Sequence, residues 1–230
     1  MKIQGIPAIL WGEPAERLFI AVHGFMSSKE DHIILAEEAA VKGYGVLSFD
    51  LPEHGDRKNE GVACTPQNAV RDLMAILAYA KTRKKKISLF GCSLGAYFSL
   101  LAYRDTPLEQ CLFLSPVLDM GRLIRNLMAS MNVSEERLKA EKVIKDSSGQ
   151  VLDWDYYSYV KARPVDKWNT PTAILYGSKD TTTEFEVVSN FANRFGCNLR
   201  VLEGGEHYFH TDEQLRVFRE LLNDNIHTIH

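Results

Sequence analysis

Apolar and polar positions follow two rhythms along the chain: short apolar runs, and longer stretches with one apolar face. The runs at 17–22 and 111–116 are mostly apolar, which is typical of strands covered on both faces. The segment that opens at Thr65 instead places Val70, Leu73 and Leu77 on one side of a helix. Strands that alternate with helices predict right-handed βαβ crossovers, and therefore an α/β fold with a mostly parallel, doubly wound sheet. The predicted strands lie at 1–11 (in one or two pieces), 17–22, 45–49, 87–90, 111–116, 172–176 and 199–202.

The alternation of strands and helices is interrupted between the strand ending near Pro116 and the strand starting near Thr172. Residues 118–168 contain an amphipathic segment, a charged helix opened by Ser134, a loop at 147–149 and an aromatic-rich stretch, but no run typical of a buried strand. An insertion of this length is typical of a cap over one end of the sheet. We therefore expect a single domain, 1–230, with a helical cap insertion at 118–168. Its aromatic and methionine side chains either wall a pocket or pack a small helical core.

Charge and cysteine content exclude several classes of protein. The net charge of −3 predicts neither a nucleic acid nor an anionic membrane as a partner. Five of the six residues at 81–86 are basic, but they follow a predicted helix, where cations complement the helix dipole. The four cysteines form no C-x-x-C pair and are expected to be reduced thiols rather than disulfides or zinc ligands.

The amino-terminal stretch 1–11 is broken by Gly5 and Pro7 and resembles neither a signal peptide nor a membrane span. We therefore expect a soluble, cytoplasmic protein, and the sequence leaves its oligomeric state open.

A Gly-x-Ser-x-Gly motif at 91–95 stands between a predicted strand and a predicted helix. On such a sharp turn the serine hydroxyl is exposed at the end of the sheet, and the positions two before and two after must be nearly free of side chain. Gly91 and Gly95 meet that demand, so Ser93 is the candidate nucleophile. The alternative is a glycine-rich connection in which Ser93 only caps the following helix.

A serine nucleophile needs a neutral imidazole to take its proton and a carboxylate to orient that imidazole. In an open parallel sheet, reactive groups collect at the carboxyl ends of the strands. Asp180 follows the strand that ends near Gly177, and His207 follows the next strand after two glycines. Both should therefore lie at the same edge of the sheet as Ser93.

These features together resemble the α/β-hydrolase fold superfamily of serine hydrolases. The resemblance rests on the 91–95 elbow, on His23-Gly24 after an early strand, on the loop 50–55, and on the late acid and histidine. The short, insertion-capped layout is similar to monoacylglycerol lipases and to small bacterial cinnamoyl (feruloyl) esterases.

The resemblance implies a role for each residue. Ser93 is the nucleophile, Asp180 the triad acid, and His207 the general base and acid. The backbone N–H groups of Phe25 and Leu94 form the oxyanion hole. The expected reaction is acyl transfer from a small-molecule ester to water, with a modest, partly apolar acyl or aryl group. No cofactor and no metal are expected.

Alternatives stay open for two roles: Asp119 is the reserve acid, and His210 neighbours the expected base. Cys92 is expected to be buried. The other polar residues at this edge are expected to shape loops rather than react: His23, Asp50 and His54. The same triad also cleaves thioesters, amides, peptides and lactones, and the fold also serves as a silent, ligand-binding scaffold.

Overall fold

The computed structural model describes residues 1–12, 16–83, 86–147 and 149–227 of the chain. Within these residues, each apolar run expected to be a strand forms one, and their bounds agree to within a few positions. The strands are β1 (Lys2–Ile3), β2 (Ile6–Trp11), β3 (Arg17–Val22), β4 (Tyr44–Phe49), β5 (Lys86–Cys92), β6 (Cys111–Leu114), β7 (Val143–Lys145), β8 (Val151–Asp153), β9 (Thr172–Gly177) and β10 (Asn198–Leu202).

Eight of these strands form one sheet, in the order β1-β2-β4-β3-β5-β6-β9-β10. Six of them, from β4 across to β10, run parallel. The antiparallel pairings of this sheet are those of β1 with β2 and of β2 with β4, at one edge. The predicted α/β fold with a mostly parallel sheet is therefore confirmed. The helices are α1 (Ile33–Val41), α2 (Pro66–Arg83), α3 (Leu94–Tyr103), α4 (Met120–Ser130), α5 (Glu135–Glu141), α6 (Trp154–Lys161), α7 (Phe185–Phe195) and α8 (Asp212–Asn225).

The core explains why the central runs are continuously apolar. Every residue of β4 and β9 is buried, as are five of the six in β3, because these strands are covered on both faces. One core cluster joins Phe19 and Phe90 of the sheet to Leu35 of α1 and Phe218 of α8. Burial of side chains of this size contributes about 1.5–3 kcal/mol each. The rigid sheet that results positions the loops at its carboxyl edge.

Cys111 lies on β6 and Cys197 directly precedes β10, and strand β9 runs between these two strands. Cys111 pairs with Thr172, and Asn198 pairs with Ala173, so Cys197 lies beside Thr172 on the other side. Two strand spacings are about 9.5 Å. Because a disulfide needs Cα atoms within about 7 Å, this pair does not bridge, and all four cysteines of the chain are free.

The chain divides into two compact units. One consists of Met1–Leu118 and Lys167–His230 and contains the eight-stranded sheet, and the other is Asp119–Asp166. The second unit lies inside the insertion predicted at 118–168, and its role as a cap stays a prediction.

The second unit is not purely helical, and the expectation of a helical insertion is corrected here. Strands β7 and β8 form a two-stranded antiparallel hairpin between α5 and α6. Only the central pair, Ile144 and Leu152, is buried. Strands of three residues hold a single inward position each, so their alternation is too short to recognise in the sequence. Ser148, in the predicted loop 147–149, lies outside the described residues.

Among the helices of the described chain, none combines the length and the apolar character that crossing a bilayer requires. The longest of them, α2, leads into the basic run at 81–86, of which Lys84 and Lys85 lie outside the described residues.

Candidate active site

The candidate nucleophile lies on a strained turn between β5 and α3. Ser93 has φ 48° and ψ −117°, a conformation that costs a non-glycine residue about 1–3 kcal/mol. A Cβ atom on Gly91 would lie 2.9 Å from the Ala96 Cα, and one on Gly95 would overlap backbone carbonyl oxygens of β3 and the loop after it. Both glycines are thus required by close backbone approach. No side-chain capping bond from Ser93 to α3 is present, which argues against a purely capping role.

The three residues expected to form a triad lie within hydrogen-bond distance of one another. Ser93 Oγ is 2.8 Å from His207 Nε2, and His207 Nδ1 is 2.7 Å from Asp180 Oδ2. An ionised carboxylate only accepts hydrogen bonds, so the proton on the imidazole lies on Nδ1 and Nε2 is free to accept the serine proton. The Asp180 side chain is fully buried, whereas that of His207 is 25% exposed. The Ser93 hydroxyl is therefore hydrogen-bonded to an imidazole that solvent can reach.

The second oxygen of the Asp180 carboxylate is also satisfied. Its Oδ1 accepts the backbone N–H groups of Thr182 (2.7 Å) and Thr183 (3.0 Å). The Tyr176 hydroxyl donates to the Thr183 carbonyl at 2.8 Å. These bonds fix the carboxylate in the orientation that the imidazole requires.

The loops that carry the acid and the histidine are fastened to each other. The Ser178 N–H donates to the Leu202 carbonyl at 2.9 Å, and the Gly204 N–H donates to Ser178 Oγ at 2.8 Å. A Cβ atom on Gly177 would overlap the Gly205 carbonyl oxygen, so the two backbones are in direct contact. Because of these contacts, the two loops hold Asp180 and His207 in a fixed position relative to each other. Ser178 was not singled out in the sequence, where it reads as an ordinary turn residue.

The two residues left open as alternatives are engaged elsewhere. The Asp119 side chain accepts the Arg122 N–H at 2.8 Å as the N-cap of α4, and it is about half exposed. His210 Nδ1 is 2.9 Å from the Tyr208 carbonyl oxygen, and its ring stacks on that tyrosine. In this structure, His207 pairs with Asp180.

The loop after β3 lies against the candidate nucleophile. A Cβ atom on Gly24 would be 3.2 Å from the Ser93 Cβ, so no larger residue fits without displacement. Within the described residues, the Phe25 N–H makes no hydrogen bond. The N–H of Leu94 is that of the first residue of α3, which has no acceptor in its own helix. Both N–H groups expected to form an oxyanion hole are thus available to a ligand.

His23 fixes the orientation of this loop. Its Nε2 accepts the Leu51 N–H at 3.0 Å, so its proton is on Nδ1, which donates to the Gly24 carbonyl at 2.7 Å. In a planar trans peptide the C=O and the N–H point in opposite directions. By holding the Gly24 carbonyl, His23 therefore orients the Phe25 N–H. Burial lowers the pKa of His23 to about 4, so the ring is neutral near pH 7.

A buried ionic network supports the loop after β4. Asp50 is fully buried; its carboxylate accepts the Lys29 N–H and Nζ at 2.9 and 2.8 Å and the Asp56 N–H at 3.0 Å. Burial opposes the charge on Lys29, but the Asp50 carboxylate and two others outweigh it and raise the Lys29 pKa above its ordinary value. Arg57 joins the Asp50 carbonyl to the Asp72 carboxylate at 3.0 and 2.7 Å. Asp50 thus holds loop backbone, in agreement with expectation.

Cys92, next to the candidate nucleophile, is only partly buried, where the sequence predicts a buried side chain. Burial raises the pKa of its thiol to about 12, so it stays protonated at neutral pH.

In residues 1–12, 16–83, 86–147 and 149–227, no group of three or more His, Cys, Asp or Glu side chains is arranged to hold a metal ion.

Two buried histidines make the folded state sensitive to acid. His32 packs edge-on against Phe90, and burial lowers its pKa to about 3, as it lowers that of His23 to about 4. In the unfolded chain both titrate near pH 6.5. The unfolded state therefore binds more protons below that pH. The stability that neutral histidines contribute is fully present above pH 6.5 and is lost as the pH falls toward 4.

We expect the free energy of unfolding to fall by about 1.4 kcal/mol per pH unit for each of these histidines between pH 6 and pH 4. Urea unfolding at several pH values would measure the slope. His32→Leu should lower the slope by about 1.4 kcal/mol per pH unit, which is the contribution of one histidine. An unchanged slope in His32→Leu would contradict this assignment.

These features together define the class of the protein. Residues 19–220 match the Alpha/beta hydrolase family, and the chain belongs to that family. The resemblance inferred from the sequence is confirmed at the level of the family.

Individual relatives match most of the chain, one in sequence and two in solved structure. A "Monoglyceride lipase homolog" of Monkeypox virus is 27% identical over 236 residues, which cover 87% of this chain and 85% of the viral protein. Est1E from Butyrivibrio proteoclasticus, solved with ferulic acid bound, superimposes with a TM-score of 0.77 at 23% identity, covering 97% and 95% of the two chains. A monoacylglycerol lipase from Paleococcus ferrophilus gives a TM-score of 0.68 at 18% identity, covering 95% and 98%.

Proposed function

We propose that this protein is a serine hydrolase that cleaves carboxylic esters of a modest, partly apolar acyl or aryl group through an acyl-enzyme. The observation that carries the proposal is the continuous hydrogen-bonded chain from Ser93 Oγ through His207 to Asp180, built on a strained strand-to-helix turn. Such a chain in an ordinary structural role would not require the strained conformation of the serine.

In the first step, His207 Nε2 takes the proton of Ser93 as Oγ attacks the ester carbonyl carbon. The carbonyl oxygen becomes an anion, which accepts hydrogen bonds from the N–H groups of Phe25 and Leu94. Asp180 stabilises the imidazolium that forms. The imidazolium then gives its proton to the leaving alcohol as the C–O bond breaks.

In the second step, water attacks the acyl-enzyme. His207 takes a proton from the water, and the new tetrahedral anion is held by the same two N–H groups. Collapse breaks the bond to Ser93, which regains its proton from His207, and the carboxylic acid leaves. No group outside the triad and the two N–H donors is needed to balance this cycle.

The preference for a partly apolar substrate is supported by side chains next to the reacting groups. Phe25 directly follows Gly24 and is 68% exposed. Tyr208 directly follows His207 and is 75% exposed. Exposed aromatic surface near a polar reaction centre suits an apolar acyl or aryl group. The names of the relatives support the same choice, because one is a monoglyceride lipase homologue and another binds ferulic acid.

A fluorophosphonate probe, which reacts with activated serines, tests the nucleophile. We expect labelling of the wild-type protein and none of Ser93→Ala, because that variant lacks the only atom proposed to react. Hydrolysis of p-nitrophenyl esters from acetate to decanoate, monoacylglycerols and methyl ferulate then defines the acyl preference.

Two outcomes of this test would change the conclusion. Labelling at Ser93 without turnover of any ester would point to thioesters, amides or peptides as substrates. No labelling of the folded wild-type protein would refute the proposal and favour a silent scaffold.

A further inference from the structure

Ser115 lies beside the nucleophile and shares its unusual backbone. Cys92 and Leu114 are paired in register at the ends of β5 and β6, so Ser93 and Ser115 are the residues that directly follow these two neighbouring strands. Their φ angles are 48° and 43°. Ser115 is fully buried, and within the described residues its hydroxyl has no hydrogen-bond partner. Neither feature favours folding, since left-handed backbone and unpartnered buried hydroxyls both cost free energy.

The hydrogen bonds between the two strands explain this conformation. In a regular parallel ladder, a residue donates to the residue before its partner and accepts from the residue after it. Ser93 follows the first half of this rule, because its N–H donates to the Leu114 carbonyl at 3.1 Å. The second hydrogen bond, to the Ser93 carbonyl, cannot form in this way, because the residue after Ser115 is Pro116, which has no N–H. The Ser93 carbonyl instead accepts the Val117 N–H at 3.1 Å, together with the Ala96 N–H of α3 at 3.1 Å.

The left-handed turn at Ser115 accommodates the extra residue in this ladder. Two residues, Ser115 and Pro116, then lie opposite Ser93 where a regular ladder has one, as in a β-bulge. The turn brings the Val117 N–H to the carbonyl that proline leaves without its usual donor. The N–H and the C=O of Ser93 are consequently both bonded to the segment 114–117, and the C=O is bonded to Ala96 of α3 as well.

We propose that Ser115 is a positioning residue, whose left-handed turn holds the backbone of Ser93 in the orientation that points its hydroxyl at His207. This proposal rests on the proposed function, in which Ser93 is the nucleophile. Reacting groups must be held closely, since a displacement of about 1 Å lowers a rate by about 100-fold. The unfavourable backbone of Ser115 is then explained by the position it imposes on its neighbour.

Three substitutions test the turn. Ser115→Val introduces a β-branched residue, which does not tolerate positive φ, so the turn must open. Pro116→Ala restores an N–H to which the Ser93 carbonyl can bond in a regular ladder, so the extra residue is no longer required. Ser115→Gly removes the side chain but adopts positive φ readily. The matched control is Ser88→Val, in the interior of β5. Ser88 is a second fully buried serine whose hydroxyl has no hydrogen-bond partner among the residues that the structure describes.

We expect Ser115→Val and Pro116→Ala to lower kcat for p-nitrophenyl butyrate by about 10- to 100-fold, with KM changed less than about twofold and the pH profile unshifted. Fluorophosphonate labelling of Ser93 should slow in parallel. Ser115→Gly should retain at least about tenfold more activity than Ser115→Val, because it preserves the turn. Ser88→Val should stay close to wild type. Circular dichroism and thermal unfolding establish that each variant is folded.

Two results would overturn the proposal. One is a folded Ser115→Val or Pro116→Ala with wild-type kcat and labelling rate. The other is a loss in Ser115→Gly as large as in Ser115→Val, which would assign the effect to the hydroxyl rather than the turn. If Ser115→Val does not fold, Pro116→Ala and Ser115→Gly decide. Failure of the proposed function is recognised separately, since the wild-type protein would then not be labelled at Ser93.

Discussion

Replacement of His207 by alanine is expected to lower kcat for ester hydrolysis by about 10⁵- to 10⁶-fold, close to the loss from removing the whole triad. Without Nε2, which is 2.8 Å from Ser93 Oγ, no base takes the serine proton and no acid protonates the leaving alcohol. The residual rate would come from the Phe25 and Leu94 N–H groups and from substrate binding. Steady-state kinetics with a p-nitrophenyl ester measures the effect, and KM should change much less than kcat.

His210→Ala is the matched control for this experiment. His210 is three residues away on the same loop, is exposed, and interacts with Tyr208 rather than with Ser93. Its removal should leave kcat within about threefold of wild type, as surface substitutions usually do. A large loss in His210→Ala together with a small loss in His207→Ala would reverse the assignment of the base.

Asp180→Asn is expected to lower kcat by about 10⁴-fold at neutral pH while the protein stays folded. The amide keeps one oxygen for the Thr182 and Thr183 N–H groups, but it presents an NH₂ group to His207 Nδ1. The imidazole then favours the tautomer with its proton on Nε2, which cannot accept the proton of Ser93. The loss should therefore be in kcat, with a thermal midpoint near that of wild type.

The matched control here is Asp119→Asn, at the residue considered as the reserve acid. Asparagine is as good an N-cap as aspartate, so α4 should persist and activity should stay close to wild type. If Asp119→Asn lost activity and Asp180→Asn kept it, the acid would have to be reassigned.

Much of the fold could be predicted because central parallel strands such as β3, β4 and β9 are buried on both faces. That burial demands a continuous apolar run, which is visible in a single sequence, as at 17–22 and 172–176. Ser93, Asp180 and His207 could be selected together because parallel strands bring their carboxyl ends to one edge. Local pattern and topology thus point to the same three residues.

Contacts between residues distant in sequence could not be predicted. Lys29 and Asp50 are 21 positions apart, and nothing in either local sequence indicates that a buried ion pair joins them. The same holds for the bond between Ser178 and Gly204, which fastens two loops from different strands. The turn at Ser115 depends on which backbone N–H after β6 faces the Ser93 carbonyl. The register of the two strands decides this, and the apolar periodicity of the sequence does not reveal that register.

The strained residues at the carboxyl edge also indicate where the protein can be engineered for heat resistance. Met26, Glu53, Ser93 and Ser115 follow four successive strands of the sheet, β3 to β6, and all have positive φ. Relieving such strain is a common route to a higher melting temperature, but at a functional edge it trades stability against turnover. Among the described residues, no non-glycine residue within the helices that cover the sheet has a positive φ angle. Their solvent faces are where stabilising substitutions can accumulate at little cost to catalysis.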